Sequence, residues 1–427
     1  MLFSFNELMI DETLKKIIKS GFYSNEKKFL PGKSRIPLAA PSYGPEEIID
    51  ALETMISGWV TMGEKVKEFE RLFCEYVKTK YSIMVNSGSS ANLLALSVLT
   101  NPTFKNKIPK NSYIITPAVT WSTTVSPIIN VGCKPLFVDV DLDTLCIDIN
   151  SIKDSISEDV SCIMPVHLMG YPCNMEEIMK IASQKNLQVV EDACEAPGAT
   201  INSKKVGTFG DIGTFSFFLS HHITTMEGGM LITDNEEIFE IAKSLRTFGW
   251  VRDLKNKEKL SAKNPAIDPR FLFVNLGFNF RPTELQGAFG KHQIRKLDNF
   301  IKIRRENAKY WNERLSKYSE YVIMPKKNLD NHVFFGYAIT IKENASFSRN
   351  DFVKFLESKG IETRPIMAGN FVQQPVSNLF EWKKADRLSN SELIMKNSFF
   401  IGNHHKIGEV ERQYVADQLE TFLKENI

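Results

Sequence analysis

No C-x-x-C pair occurs anywhere in this chain. Its six cysteines stand apart at 74, 133, 146, 162, 173 and 194. That spacing removes the usual signature of a zinc site or a dithiol redox motif. The opening Met1-Leu2-Phe3-Ser4-Phe5-Asn6-Glu7 lacks the basic start and apolar core of a secretory signal. Free thiols and a cytoplasmic location are therefore expected. Long apolar runs are missing as well: none reaches the roughly 18 residues that suggest a spanning helix. An excess of charge of one sign is also absent, since 53 Lys and Arg face 51 Asp and Glu for a formal charge of +2. Neither nucleic acid nor a membrane surface is an expected partner. There is no internal repeat and no low-complexity tract. What remains is a 427-residue chain with 43% hydrophobic and 24% charged residues. Those values suit a globular protein with one large domain and a smaller one.

The pattern along the chain is α/β. After an amphipathic start (Leu14, Ile17, Ile18) and a Gly/Ser/Lys-rich stretch to Ser34, Pro45-Glu46-Glu47 predicts a helix start. A second helix is predicted over Val66 to Lys78. Short apolar runs then alternate with helical periodicity: 81–85, 113–116, 135–140, 162–166 and 188–192 read as strands. Such alternation predicts a mostly parallel sheet covered by helices on both faces, with ligands beyond the C-terminal strand ends. A long helical region is predicted from Thr283 to about Lys317, its Lys/Arg-rich middle from Gln293 to Arg305 forming a solvated face. A strand near 334–341, a helix near 350–359 and a last helix near 407–423 complete the pattern. The expected division is an N-terminal arm over 1–35, a large domain over 36–285, and a linking helix with a small α+β domain over 286–427.

Three features could carry chemistry. Asn86-Ser87-Gly88-Ser89-Ser90 joins a strand to a helix, where glycine, hydroxyls and a helix start suit a phosphate; a plain Ser N-cap fits equally. Asp192 ends an apolar strand, so it could meet a protonated ring nitrogen or simply enter a turn. Trp121 could stack on a flat ring or belong to the core.

The order of these pieces is more specific than any one of them. A Gly-Ser-Ser turn, an aromatic, an acid ending a later strand, and Ser216-Phe217-Phe218-Leu219-Ser220-His221-His222 follow one another. Thr225-Met226-Glu227-Gly228-Gly229 and Gly277-Phe278-Asn279-Phe280-Arg281-Pro282 come next. This arrangement resembles the DegT/DnrJ/EryC1/StrS family, whose aminotransferases and dehydratases act on nucleotide-linked keto-sugars. The resemblance runs from about Ile36 to about residue 425. It implies the aminotransferase-like fold (fold type I) and pyridoxal or pyridoxamine phosphate (PLP or PMP) as cofactor. Most of the family places a cofactor-binding lysine where this chain has His221. An imidazole moves protons near neutral pH but cannot form the covalent link of a primary amine.

The resemblance therefore implies a noncovalently held cofactor and a lean toward the branch that removes the C-3 hydroxyl of a GDP-linked 4-keto-6-deoxysugar. L-Glutamate would serve as amine donor. By position, His221 is the implied catalytic residue, with His222 the alternative. Gly88, Ser89 and Ser216 are implied at the cofactor phosphate, Trp121 on the ring, Asp192 at the pyridine nitrogen, and Glu195 in contact with the cofactor. Asn279 would reach the cofactor of a neighbouring subunit, so a homodimer with shared sites is implied. Gly58, Trp59, Val60, Thr61, Arg252, Arg281 and Glu362 match substrate-holding positions. Phe248 matches one too, but replaces a hydrogen-bonding histidine. Cys194 matches one ligand position of an iron–sulfur branch, yet 251–254 supplies no C-x-C, so neither a cluster nor any other metal is expected. A sugar aminotransferase and a non-catalytic sugar-nucleotide-binding homologue remain the alternatives.

Overall fold

The computed structural model describes residues 10–24 and 28–427. Residues 1–9 and 25–27 of the expected N-terminal arm lie outside the described residues. The described part of the arm carries the helix Glu12–Ser24, whose Leu14 and Ile17 side chains are exposed.

Short β-branched runs form the strands. β1 (Tyr81–Val85), β2 (Tyr113–Pro117), β3 (Lys134–Val138), β4 (Val160–Ile163) and β5 (Gln188–Asp192) come first. A small hairpin of β6 (Thr200–Ile201) and β7 (Lys204–Lys205) precedes β8 (Ile212–Ser216) and β9 (Gly229–Thr233). β8 and β9 are buried along their whole length, as a sheet sandwiched between helices requires. β10 (Val322–Ile323), β11 (Gly336–Ile341), β12 (Thr363–Pro365), β13 (Lys383–Lys384) and β14 (Ser398–Gly402) complete the set.

The large sheet has eight strands in the order β1-β9-β8-β5-β4-β2-β3-β13. Every neighbouring pair is parallel except the two made by β9, with β1 and with β8. The expected mostly parallel sheet is therefore present. Its far edge comes from a distant part of the chain, with Lys383 opposite Leu136 and Lys384 opposite Phe137. The helix Gly88–Leu99 is apolar nearly all round and packs on β8 and β9, so it is buried. The smaller sheet, β10-β11-β14-β12, is antiparallel throughout. Trp311, Tyr337, Phe352, Phe399 and Phe422 fill its core, together with faces of the helices Leu297–Leu315, Arg349–Ser358 and Glu409–Asn426. No helix among the described residues is long and apolar enough to cross a membrane.

The long helical region differs from its expectation in two ways. It divides into Glu284–Gln293 and Leu297–Leu315 around a tighter turn at Ile294–Lys296. Its basic middle is also not uniformly solvated. Lys302 and Arg295 are open to water, whereas Gln293 and Arg304 are buried. The Arg304 guanidinium donates to the carbonyls of Phe334 (2.8 Å), Phe335 (3.0 Å) and Asn403. Helical periodicity turns residue 304 toward the small sheet, where backbone carbonyls replace the water that a surface arginine would use.

Candidate active site

The C-terminal ends of β1, β2, β5 and β8 meet at one cavity of about 520 Å3. Each end contributes a sequence-predicted residue. β1 leads into Gly88 and Ser89, β2 into Trp121, β5 closes with Asp192, and β8 closes with Ser216. The opposite wall comes from the later chain, through Phe335, Arg364, Met367 and Phe400.

The Gly-Ser-Ser turn satisfies both of its readings, on different residues. Ser87 is the N-cap, accepting from the Ser90 N–H at 3.1 Å. Gly88 and Ser89 are thereby left on the first turn, facing the cavity. A Cβ on Gly88 would lie 2.5 Å from Ser216 Cβ and 3.1 Å from Cys194 Sγ. Only glycine lets these three segments converge. The Ser89 hydroxyl donates to Thr123 Oγ1 at 2.9 Å. A helix start ringed by hydroxyls is a ready anion site.

Asp192 is held on both oxygens. One accepts from Asn92 Nδ2 (2.8 Å) and the Thr124 hydroxyl (2.9 Å), the other from the Cys194 N–H (3.2 Å). Asn92 in turn accepts from the Thr214 hydroxyl at 2.6 Å. The carboxylate is therefore fixed in direction as well as buried. Trp121 is 56% exposed and caps the helix Ser122–Asn130, which removes the core alternative for its indole. Glu195 is half-buried and accepts from the Met169 N–H at 2.7 Å. Burial pushes its pKa up to about 8, with the Asp192 charge adding to the effect, so it holds its proton at neutral pH.

His221 and His222 sit in the connection between β8 and β9. This loop is closed by Phe217 N–H to Gly228 O and Thr225 N–H to Phe217 O, both at 2.9 Å. The two imidazoles point to different places. His221 lines the cavity, its ring centroid 5.2 Å from that of Phe335. His222 is fully buried behind it, with Nε2 on the Val333 carbonyl at 2.8 Å. Of the two, only His221 can meet a ligand in the cavity. Burial and the nearby Arg304 charge lower its pKa to about 4, so the ring is neutral near pH 7 and able to accept a proton. Its Nδ1 is buried without a partner among the described residues.

The remaining predicted residues lie outside this cavity. Thr61 bridges to Thr283, and the Val60 carbonyl accepts from the Glu284 N–H. Trp59 is 57% exposed, beside the left-handed Gly58. Thr247 bridges to Asn279, placing the Arg281 guanidinium 4.7 Å over the Phe248 ring. Arg281 Nε also donates to Asn279 Oδ1 at 3.1 Å, and Arg252 lies 5.7 Å over the Trp250 ring. Glu362 pairs with Arg364 at 2.7 Å and accepts from the Leu38 N–H. Three residues that lie in the matching segments but received no role from the sequence line the cavity: Asn92, Thr124 and Arg364. Asn92 follows Gly88 by one helical turn, a spacing that was available as a signal. Arg364 precedes a proline, which marks extended backbone but names no role.

The cavity suits a phosphorylated pyridine ring. Hydroxyls and a helix start suit the phosphate, the indole suits the ring face, and the braced carboxylate suits a ring N–H. Among the described residues, no lysine lines it.

The model of the DegT/DnrJ/EryC1/StrS aminotransferase family matches residues 41–420. GDP-4-keto-6-deoxy-D-mannose 3-dehydratase of Escherichia coli O55:H7 is 40% identical over 91% of this chain and 99% of its own length. A solved structure of the E. coli 3-dehydratase with bound hydrated PLP has a TM-score of 0.86 and 39% identity, over 90% of this chain and 99% of that one. A solved structure of GDP-4-keto-6-deoxymannose-3-dehydratase with a trapped PLP-glutamate geminal diamine has a TM-score of 0.85 and 38% identity, over 90% of this chain and 100% of that one. With a family match across most of its length and the same fold, the chain belongs to the DegT/DnrJ/EryC1/StrS aminotransferase family.

Proposed function

We propose that this protein is a PLP/PMP-dependent 3-dehydratase. Its substrate is a nucleotide-linked 4-keto-6-deoxysugar, with GDP-4-keto-6-deoxymannose favoured and L-glutamate as amine donor. One observation carries the reading: the position on the β8–β9 loop that faces the cavity is a neutral imidazole, and no lysine lines the cavity among the described residues. The cofactor is therefore held by noncovalent contacts alone. The 40% identity to the GDP-sugar dehydratase and the solved relative bearing a PLP-glutamate adduct support the choice of sugar and donor.

When bound, PMP supplies a primary amine that condenses with a ketone and a ring that accepts electrons. Gly88, Ser89 and Ser216 would hold the phosphate, and Trp121 would cover the ring. Asp192, braced by Asn92 and Thr124, keeps the ring nitrogen protonated. Glu195 offers its retained proton as a hydrogen-bond donor. His221, facing the cavity, would serve as the proton carrier and would deliver a proton to the departing C-3 hydroxyl. The sugar loses one oxygen, glutamate is oxidised to the 2-oxo acid, and nitrogen leaves as ammonia, so atoms and electrons balance without a metal.

The same reading makes the active unit a homodimer. Asn279, Arg281, Phe248, Arg252 and the Gly58–Thr61 turn would complete the partner's cavity. Their position outside their own cavity supports this. Incubating the protein with PLP, L-glutamate and a small panel of nucleotide 4-keto-6-deoxysugars tests the proposal by product mass spectrometry. The expected product lacks one oxygen and contains no added nitrogen, with ammonia released. A sugar that keeps the donor nitrogen replaces this reading with aminotransfer.

A further inference from the structure

Behind the cavity wall lies a charge that the proposed chemistry leaves unused. Arg304 is 3% exposed, and no carboxylate acts on it: burial alone moves its pKa, down to about 9. It is therefore charged at neutral pH. The guanidinium is held by the carbonyls of Phe334 (2.8 Å), Phe335 (3.0 Å) and Asn403, while Nε is buried without a partner among the described residues. Carbonyl dipoles orient a cation but do not cancel its charge. A buried cation without a counter-ion is unfavourable, so its presence points to an effect on a neighbour.

Two observations tie it to His221. The first is mechanical. Phe335 lines the cavity, its ring centroid 5.2 Å from that of His221 and 6.3 Å from that of His222. The turn that presents Phe335 is gripped on several sides. Arg304 holds two of its carbonyls, and His222 Nε2 takes the Val333 carbonyl at 2.8 Å. The N–H groups of Val333 and Phe335 donate to the carbonyls of Gly170 (3.0 Å) and Met169 (2.9 Å). Phe334 needs that grip, because its φ of +51° lies in the left-handed region that bulky residues rarely adopt.

The second is electrostatic. After burial, the Arg304 charge is the largest influence on His221, and it opposes the imidazolium. The other charged and titratable groups around the ring are each accounted for. Asp192 is bonded to Asn92, Thr124 and the Cys194 N–H. Desolvation keeps the Cys194 thiol and Glu195 protonated near pH 7. Arg364 pairs with Glu362, and Glu227 is exposed to water. His222, His332, His404 and His405 are neutral.

We infer that Arg304 is a positioning residue for His221: its uncompensated charge drives the proton that His221 carries on to the departing hydroxyl, and its bonds to the wall fix Phe335 against the ring. The inference rests on His221 as the proton carrier of the dehydratase reading. A cation behind the ring makes the protonated imidazole a stronger acid, and the hydroxyl needs a proton to leave as water.

The test uses full-length, histidine-labelled protein. NMR titration follows His221, with the His221→Asn spectrum assigning its resonance, and needs no sugar. Turnover with sugar nucleotide, PLP and L-glutamate is measured across pH. Arg304→Gln keeps N–H donors but loses the charge, whereas Arg304→Lys keeps the charge but loses the fork. In Arg304→Gln the His221 midpoint is expected to rise by about half a unit to one unit, and the acid limb of the pH–rate profile to move the same way. Turnover near neutral pH should fall about 3- to 30-fold, with KM for the sugar nucleotide within about threefold. Arg304→Lys should leave the midpoint within about 0.3 unit and recover most of the turnover. An unmoved midpoint in Arg304→Gln overturns the inference, because a purely structural arginine lowers turnover without shifting it. A midpoint that rises as far in Arg304→Lys also overturns it, and decides the matter if Arg304→Gln does not fold. So does a His221 midpoint near the ordinary value in the unaltered protein. If the unaltered protein removes no oxygen from any sugar, the dehydratase reading fails, while the titration still reports on Arg304.

Discussion

The cavity and the arginine–aromatic patch around Phe248 are built on opposite principles. In the cavity the polar groups are held by one another: Asp192 by Asn92 and Thr124, Glu195 by the Met169 N–H, Arg364 by Glu362. The patch has few such ties. Arg281 leans on Phe248 and Asn279, Arg252 on Trp250, and Leu276 nearby is 96% exposed. Preorganised groups suit chemistry, where misplacement costs rate. Open, adaptable groups suit contact with something that arrives later, whether substrate or a second copy. On the proposed reading, the difference is that between a nearly finished cofactor site and a substrate site that a second copy would complete.

Mixing variants is the strongest way to break that contrast. His221→Asn alone should lower turnover by about 10²- to 10⁴-fold through loss of the proton carrier, and Arg281→Ala should disable the substrate side. If the patch completes the partner's cavity, unfolding and refolding the two together restores about a quarter of the activity, because half the dimers are hybrids with one intact site. Restoration absent from an otherwise dimeric mixture means that patch and cavity serve separate ends. Gel filtration alongside the assay checks the dimer.

A smaller effect comes from acid. Burial lowers the pKa of His221 and His405 to about 4 and of His332 and His404 to about 3, with His222 moved the same way. Below the ordinary value near 6.5 the unfolded chain binds protons that the folded chain refuses. Stability is therefore full above pH 6.5 and declines as pH falls toward 4. Each tenfold difference in proton affinity between the two states is worth about 1.4 kcal/mol per histidine. Denaturant melts at pH 7.5 and pH 5.5 should differ by several kcal/mol. The patch contains no histidine among the described residues, so Arg281→Ala should leave this slope unchanged, whereas His332→Phe should flatten it.

The smallest expected effect sharpens the contrast inside the cavity. Trp121→Leu removes an exposed ring face while leaving the bonds around Asp192 intact. It should weaken PLP about three- to tenfold and leave the melting temperature in place. Equilibrium dialysis with PLP measures it. An unchanged affinity removes the indole from the cofactor's contacts.

These contrasts were partly legible beforehand. The five strands from 81 to 192 were readable because their buried, β-branched runs are local patterns, and the cavity followed because ligand sites lie at strand ends. The choice between His221 and His222 was not readable from two adjacent identical residues. It depends on Val333, more than a hundred positions away, offering a carbonyl to one of them. Arg304 was hidden for a related reason. Composition around it is basic and polar, and only three carbonyls from remote segments show that it faces inward. The edge strand β13 has two residues, too few for any periodicity. Arg364 was visible as a letter, but its orientation depends on strand pairing and on Glu362, neither of which is a local signal.

That short strand has a mechanical consequence. Lys383 and Lys384 stitch the late chain to the rim of the large sheet, and the Phe371 N–H ties the same segment to the Ala118 carbonyl, just ahead of Trp121. The segment that follows Arg364 is thus fastened at two points to the large domain. Swinging it aside like a flap would tear several backbone hydrogen bonds and bare the packing of Phe137 on Phe371. Anything that enters or leaves the cavity would then use its existing opening rather than a moving wall.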